Sequence, residues 1–273
     1  MFGNQRILYA INHQRNTILP YSYLLNFGLK LRKKILITGE SGFFCKALTS
    51  SISQGDSIQP FYLSRSPKSE AAFKVSDYDL TPLLNEEGLA DIDCLVHIAA
   101  YIPEPENSDV LLDCVDVNVG YTKSLIDFAV KRNIPKFVLV SSFAIFEGIK
   151  NGTIDEKTVP APLTRYAQSK LAAESLLLSS RKKFSAGVSI LRPAFTYGKG
   201  MKPQRMIPFF IRELSQSDNI TVYKPASCLE LTYLPDFCRV LLNTLDVKQD
   251  VQVVNIVNEV LSKKDLVETL KLT

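Results

Sequence analysis

Six short, largely apolar stretches restrict the folds open to this chain: KILIT (34–38), IQPFYL (58–63), AFKV (72–75), CLVHIAA (94–100), KFVLVSS (136–142) and GVSILRP (187–193). Three of the intervals between them carry apolar residues at helical spacing. GFFCKALTSSI (42–52) has Phe44, Ala47, Leu48 and Ile52 on one side, and VLLDCVDVNVGYTKSLIDFAVKR (110–132) and PLTRYAQSKLAAESLLLSSR (162–181) are longer. Strands that are apolar throughout must be covered on both faces, and alternation with helices makes their sheet parallel. The expected class is therefore α/β, a doubly wound parallel sheet whose ligands sit beyond the carboxyl ends of the strands. Beyond Gly198 the pattern loosens. MIPFFIREL (206–214) reads as a helix, LELTYL (229–234) and VQVVNIV (251–257) as strands, and SKKDLVETLKL (262–272) as a helix with Ser262 as N-cap.

Charge and composition exclude several functions. The net charge of +4 originates at the N-terminus, where residues 1–39 hold Arg6, Arg15, Lys30, Arg32, Lys33 and Lys34 and no acid. The remainder has 26 basic and 28 acidic residues, a net −2, so no nucleic-acid partner is expected. Residues 1–33 lack sustained periodicity and have neither the h-region nor the cleavage site of a secretory signal. Basic and acid-free, they fit a transit peptide or an extension from an upstream start, and are read as a loosely attached extension. No run of about 18 apolar residues predicts a membrane span. Cys45, Cys94, Cys114, Cys228 and Cys238 form no C-x-x-C pair and read as buried free thiols in a reducing, cytoplasmic setting. With only His13 and His97, neither a metal site nor a Ser-His-Asp triad is expected.

Four features carry chemistry. GESGFFC (39–45) follows the first strand with the spacing G-x-x-G-x-x-C, where Gly39 and Gly42 permit a tight turn and the next helix offers its N-terminus to a pyrophosphate. YLSRS (62–66) ends the second strand with Ser64 and Arg65 where an acid would hold the ribose hydroxyls of NAD. A guanidinium there suits a 2′-phosphate, which favours NADP over NAD. Tyr166 and Lys170, four apart in YAQSK, share one helix face, so a neighbouring ammonium would favour the phenolate form of a proton-exchanging tyrosine. Ser141 and Ser142 end an apolar strand, where a hydroxyl can bond the reacting oxygen. Each has a bland counterpart: an ordinary βα turn, a solvated arginine, a solvated Y-x-x-x-K, a serine cap. Their order along the chain is the one a single shared site requires.

With these segments the chain resembles the extended short-chain dehydrogenase/reductases, the NAD(P)-dependent epimerase/dehydratase family of sugar-nucleotide enzymes. The resemblance runs from about Lys34 to about Leu272 through ILITGESGFF, DCLVHIAA, NVGYTKSLIDFA, VSSFAIFEG, YAQSKLAAE and LRPAFTYGKG. It implies a Rossmann domain over 34–198 and a partial substrate lobe over 199–273. Gly39, Ser41, Gly42, Phe43 and Phe44 would line the pyrophosphate turn, Asp77 and Tyr78 flank the adenine, and Ala99 and Ala100 pass beneath the cofactor. Asn118 and Ser141 join the cofactor contacts with Ser64 and Arg65, and Pro193 lies near the nicotinamide. Ser142, Tyr166 and Lys170 match the catalytic trio.

The activity so implied is an NAD(P)-dependent epimerase or 4-ketoreductase on a nucleotide sugar, in a homodimer joined through the helices near 110–132 and 162–181. The alternative is a non-catalytic NADP-binding interaction protein on the same fold. The sequence departs from the family at Cys45 (third glycine), at Phe146-Glu147 (Tyr-Gly), and at Phe143-Ala144, which replace the Asp-Glu pair of dehydratases and argue against dehydration. It departs again at Leu229 or Glu230, where a diphosphate-binding arginine is usual.

Overall fold

The computed structural model describes residues 9–12, 17–20, 32–52, 57–76, 78–103, 114–150, 152–217 and 220–272. Near the N-terminus, β1 (Tyr9–Asn12) and β2 (Thr17–Pro20) pair antiparallel with Tyr9 opposite Pro20. The main sheet contains β3 (Lys33–Thr38), β4 (Ile58–Ser64), β5 (Ala72–Lys74), β6 (Cys94–His97), β7 (Lys136–Val140), β8 (Val188–Pro193) and β11 (Val251–Ile256). Its order is β11-β8-β7-β6-β3-β4-β5, and every pairing is parallel. From β3 the chain fills the sheet first towards β5 and then, from β6, in the other direction. The crevice beyond the strand ends at this reversal is where such sheets bind ligands.

The period-2 alternation of a strand divides the core. Leu36, Leu95, Phe137 and Leu139 face α2 (Tyr121–Lys131) and α3 (Arg165–Ser180), and join Leu125, Ala173 and Leu177. Their strand neighbours Ile35, Ile37, Val96 and Val138 point the other way. There they meet Cys45 and Leu48 of α1 (Phe43–Ser51) and Phe237 and Leu241 of α5 (Leu234–Thr244). Cys45 is fully buried in this second layer, so it fills the packing position of the absent glycine. Cys94, Cys114 and Cys238 are also buried, Cys228 is exposed, and all five thiols are free.

A smaller lobe comprises a three-stranded sheet, β12-β10-β9, from β9 (Phe195–Tyr197), β10 (Cys228–Tyr233) and β12 (Glu259–Ser262), with α4 (Met206–Leu214) and α6 (Lys263–Lys271). Its own core includes Ile207, Phe210, Leu231, Leu266 and Val267. Helix α6 is capped as its sequence requires: Ser262 Oγ accepts the N–H of Asp265 at 3.0 Å.

The structure corrects the expectations in four places. The helical segment 110–132 is not one α-helix. Cys114–Gly120 form a wide π-helical turn before α2, and residues 110–113 lie outside the described residues. β9 and β12 were not foreseen, because three and four residues are too few to show a period. α5 was not foreseen either. Finally, residue 198 does not divide the sheet, since α5 and β11 come from beyond it and complete the larger unit. No described helix is long and apolar enough to cross a membrane.

One buried ion pair ties α3 to β8. Arg192 holds Glu174 through two bonds, Nε to Oε1 at 3.0 Å and Nη2 to Oε2 at 2.7 Å, and its Cζ lies 5.3 Å from the ring centroid of Phe146. Both side chains are almost fully buried. Removing one partner strands the other charge, so Glu174→Ala should lower stability by roughly 3–5 kcal/mol, measured by urea unfolding.

Candidate active and dinucleotide-binding site

A cavity of about 680 Å³ runs along the carboxyl ends of β3, β4, β6, β7 and β8. At its centre the chain leaves β3 through Gly39, whose φ of +83° favours glycine. A Cβ there would come within 3.2 Å of the Ala99 backbone. The Gly42 N–H donates to Gly39 O at 2.8 Å, and a Cβ on Gly42 would approach that oxygen to 3.0 Å. Gly42 starts α1, and no side chain caps this helix. Its N-terminus therefore faces the cavity with the positive end of the helix dipole. Ser41, Phe43 and Phe44 line the same wall. Burial pushes the Cys45 thiol up to about 11, which leaves it a neutral packing group.

A buried chain of hydrogen bonds ties this turn to the first turn of α3, which carries Tyr166. Thr38 Oγ1 accepts the N–H groups of Ile98 and Ala99, each at 3.0 Å, and so gives its own proton to His97 Nδ1 at 2.8 Å. That fixes the tautomer, and His97 Nε2 donates to Thr122 Oγ1 at 3.0 Å, which donates to Asn118 O at 2.8 Å. Burial, reinforced by the charge of Lys170, holds His97 well below the usual imidazole range, so it stays neutral. The Asn118 amide then bonds both main-chain groups of Tyr101 and donates to Ser169 Oγ at 2.9 Å, which donates to Tyr166 O at 2.7 Å.

At one end of the cavity stand Ser64, Arg65, Lys68 and Tyr78, with Arg65 Cζ 5.8 Å from the centroid of the Tyr78 ring. Glu40 also lines this end and accepts the Lys68 N–H through Oε2 at 3.1 Å. Asp77 lies outside the described residues.

At the other end stand Ser141, Ser142, Tyr166, Lys170 and Pro193. Thr164 caps α3, its Oγ1 accepting Ala167 N–H at 3.2 Å, and the first turns of the helix place Tyr166 and Lys170 on the cavity side. The lead-in to α3 is held by Glu147, whose Oε1 accepts the N–H groups of Leu163 and Thr164. This accounts for one departure from the family, since Glu147 clamps the segment that delivers Tyr166. Lys170 is buried and donates to Val140 O at 2.6 Å. Burial brings its ammonium down to about 8, against the opposing pull of Glu174. Burial raises the Tyr166 phenol, while a hydrogen bond to Ser142 and the charge of Arg205 work the other way.

The structure thus brings together Gly39, Ser41, Gly42, Phe43, Phe44, Ser64, Arg65, Tyr78, Ala99, Ala100, Ser141, Ser142, Tyr166, Lys170 and Pro193 around one cavity. Asn118 is not among its walls. The π-helical turn sets Val117 against the cavity and Asn118 in the core, where its side chain is occupied by Tyr101 and Ser169. Leu229 packs in the small lobe and Glu230 pairs opposite Val260, so neither reaches the cavity. Sequence reasoning missed Glu40, Lys68, Lys202 and Arg205 as lining residues. Lys68, three residues after Arg65, was within reach of it; Arg205 comes from the small lobe and was not. Among the described residues no cluster of His, Cys, Asp or Glu could hold a metal.

These residues fit a dinucleotide. The two glycines leave open the space that side chains would fill, and Ser141 Oγ is buried without a partner among the described residues while lining the cavity. The volume is in the range of small-molecule sites. The model of the NAD dependent epimerase/dehydratase family matches residues 35–258. The chain belongs to that family.

Its sequence is 28% identical over 159 residues to the low-salt glycan biosynthesis protein Agl12 of Haloferax volcanii, covering 58% of this chain and 51% of that protein. The chain spans about half the length of the curated relatives it matches. Among solved structures, the UDP-N-acetylglucosamine 4-epimerase of Bacillus cereus superposes with a TM-score of 0.74 at 26% identity, covering 88% of this chain and 81% of that one. MoeE5, solved in complex with UDP-glucuronic acid and NAD, superposes with a TM-score of 0.76 at 25% identity, covering 88% and 82%.

The turn makes a direct prediction. Gly42→Val should abolish dinucleotide binding in a calorimetric titration, because its branched side chain would press on Gly39 O, whereas Cys45→Gly should change affinity little.

Proposed function

We propose that this protein is an NAD(P)-dependent epimerase or 4-ketoreductase of nucleotide-activated sugars, with Tyr166 as the acid/base. The observation that carries this reading is the convergence of Ser142, Tyr166 and Lys170 on one end of a cavity whose centre is an uncapped helix N-terminus. The bound dinucleotide supplies the hydride exchange. Tyr166 takes the proton from the substrate hydroxyl or returns it to the carbonyl formed there. Ser142, which lines the same end of the cavity as Tyr166, orients the same oxygen. Lys170, held by Val140 O and lining the same cavity, would supply positive charge to the phenolate and a donor to the cofactor ribose.

Reduction and epimerisation use the same three groups. Dehydration requires a further acid beside the reacting carbon. The sole carboxylate among the described cavity residues is Glu40, at the opposite end, while Phe143 and Ala144 occupy a short turn after Ser142. The intact trio favours catalysis over a purely binding role. A homodimer through α2 and α3 belongs to this reading on family resemblance alone.

Arg65 and Lys68 favour NADP, two cations in position for a 2′-phosphate. Arg65→Ala should weaken NADPH binding by about tenfold or more while leaving NADH within about twofold, read by fluorescence titration; equal losses for both would remove the preference. For the chemistry, Tyr166→Phe should cut turnover of a UDP- and dTDP-sugar panel by at least about 10²-fold with dinucleotide binding intact. Unchanged turnover in that variant would refute the assignment.

A further inference from the structure

The segment that delivers Tyr166 has no hold on the core. Among the described residues from 149 to 165 none is buried, and its apolar side chains Val159 and Leu163 are exposed. A stretch without buried apolar contacts takes its place from its polar ones. Approaching α3, the segment is tied in steps. Glu156 Oε1 accepts the Asn255 N–H of β11 at 2.9 Å. The Ala161 N–H donates to Ile145 O at 2.8 Å, and Ala161 O accepts the Gly148 N–H at 2.9 Å. Just before the helix comes the carboxylate of Glu147, whose Oε1 accepts the N–H groups of Leu163, at 2.8 Å, and of Thr164.

The ties at Ala161 and at Leu163-Thr164 both lead to the turn that carries Ser142. Ser142 caps that turn: its Oγ accepts the Ala144 N–H at 3.2 Å and its O accepts the Ile145 N–H at 3.4 Å. The Glu147 N–H closes it on Ala144 O at 3.0 Å. Ser142 and Glu147 are therefore the two ends of one hydrogen-bonded turn. Through its side chain Glu147 also holds Thr164, the N-cap of α3, two residues before Tyr166. Glu147 is not among the cavity's lining residues. We propose that Glu147 is a positioning residue, which sets Tyr166 against Ser142 by holding the N-cap of α3 on the Ser142 turn. The glycine common in the family at this place has no side chain to do so. The inference rests on the roles given to Ser142 and Tyr166 above.

The test uses the full chain, the UDP- and dTDP-sugar panel and two variants. Glu147→Ala removes the acceptor, whereas Glu147→Gln keeps a carbonyl oxygen at the same reach and removes only the charge. On a sugar that the wild type turns over, Glu147→Ala should lower kcat by roughly 10- to 100-fold, since a reacting group displaced by about 1 Å can cost that much. KM, dinucleotide affinity and the urea unfolding midpoint should stay close to the wild type. Glu147→Gln should recover most of kcat. Hydrogen exchange, read by mass spectrometry, should rise in the peptide spanning residues 161–167 in Glu147→Ala and not in Glu147→Gln. The proposal is overturned by a kcat within about twofold of the wild type in Glu147→Ala, or by exchange at 161–167 that does not rise there. Equal losses in both variants overturn it too, by assigning the effect to charge. So does a loss of kcat accompanied by weaker dinucleotide binding and a lower unfolding midpoint, which would make Glu147 a general structural support. A wild type that binds dinucleotide and turns over no sugar of the panel would remove the catalytic reading of Ser142 and Tyr166, and this inference with it.

Discussion

The hydroxyl of Thr38 is the point on which the site depends. It sits at the end of β3, fully buried, and accepts two backbone N–H groups from the segment after β6. Those bonds bring Ala99 so close to Gly39 that a Cβ there would press on the Ala99 backbone at 3.2 Å. They also leave Thr38 one proton to give, and His97 receives it. From there the bonds run through Thr122 to the main-chain carbonyl of Asn118, whose side-chain amide donates onward to Ser169 and so to the backbone of Tyr166. The glycine turn and the start of α3 are consequently two ends of one buried polar network in which every member is satisfied. Such networks rigidify what they connect, because breaking any link leaves a buried polar group unpaired.

A second constraint holds α3 from behind. Glu174 and Arg192 form a two-bond pair one helical turn beyond Lys170, and Glu147 grips the backbone just ahead of the helix. Between these anchors Lys170 is kept buried with its ammonium on a strand carbonyl. Burial lowers its proton affinity and Glu174 restores part of it. The ammonium of Lys170 is thus set by the balance of burial and the nearby carboxylate rather than by solvent.

Much of this was legible in the chain because it is local. Glycine spacing after an apolar run, serines closing a strand and a tyrosine one turn from a lysine are written in a few adjacent residues. So are the bounds of α4 and the Ser262 cap. What stayed hidden depends on distant partners. A single histidine in an apolar strand carries no sign that two threonines, 59 residues before it and 25 after, will complete its bonding. Asn118 was expected at the cofactor on family resemblance alone, and in the wider turn at Cys114–Gly120 its side chain is instead taken up by Tyr101 and Ser169 in the core. β11 joins the far edge of the sheet from beyond the expected boundary because the apolar edge of β8 needs a neighbour, a demand no local pattern expresses.

The distribution of thiols has a practical consequence. Four cysteines are buried, two of them pushed to about 11 and about 12, while Cys228 alone is open to solvent, at the start of β10 in the small lobe. A mild alkylating dye would therefore mark one position without any engineering. Because that position lies on the lobe that also carries Arg205, a fluorophore there would report, without engineering, whether this lobe shifts against the sheet as ligands enter.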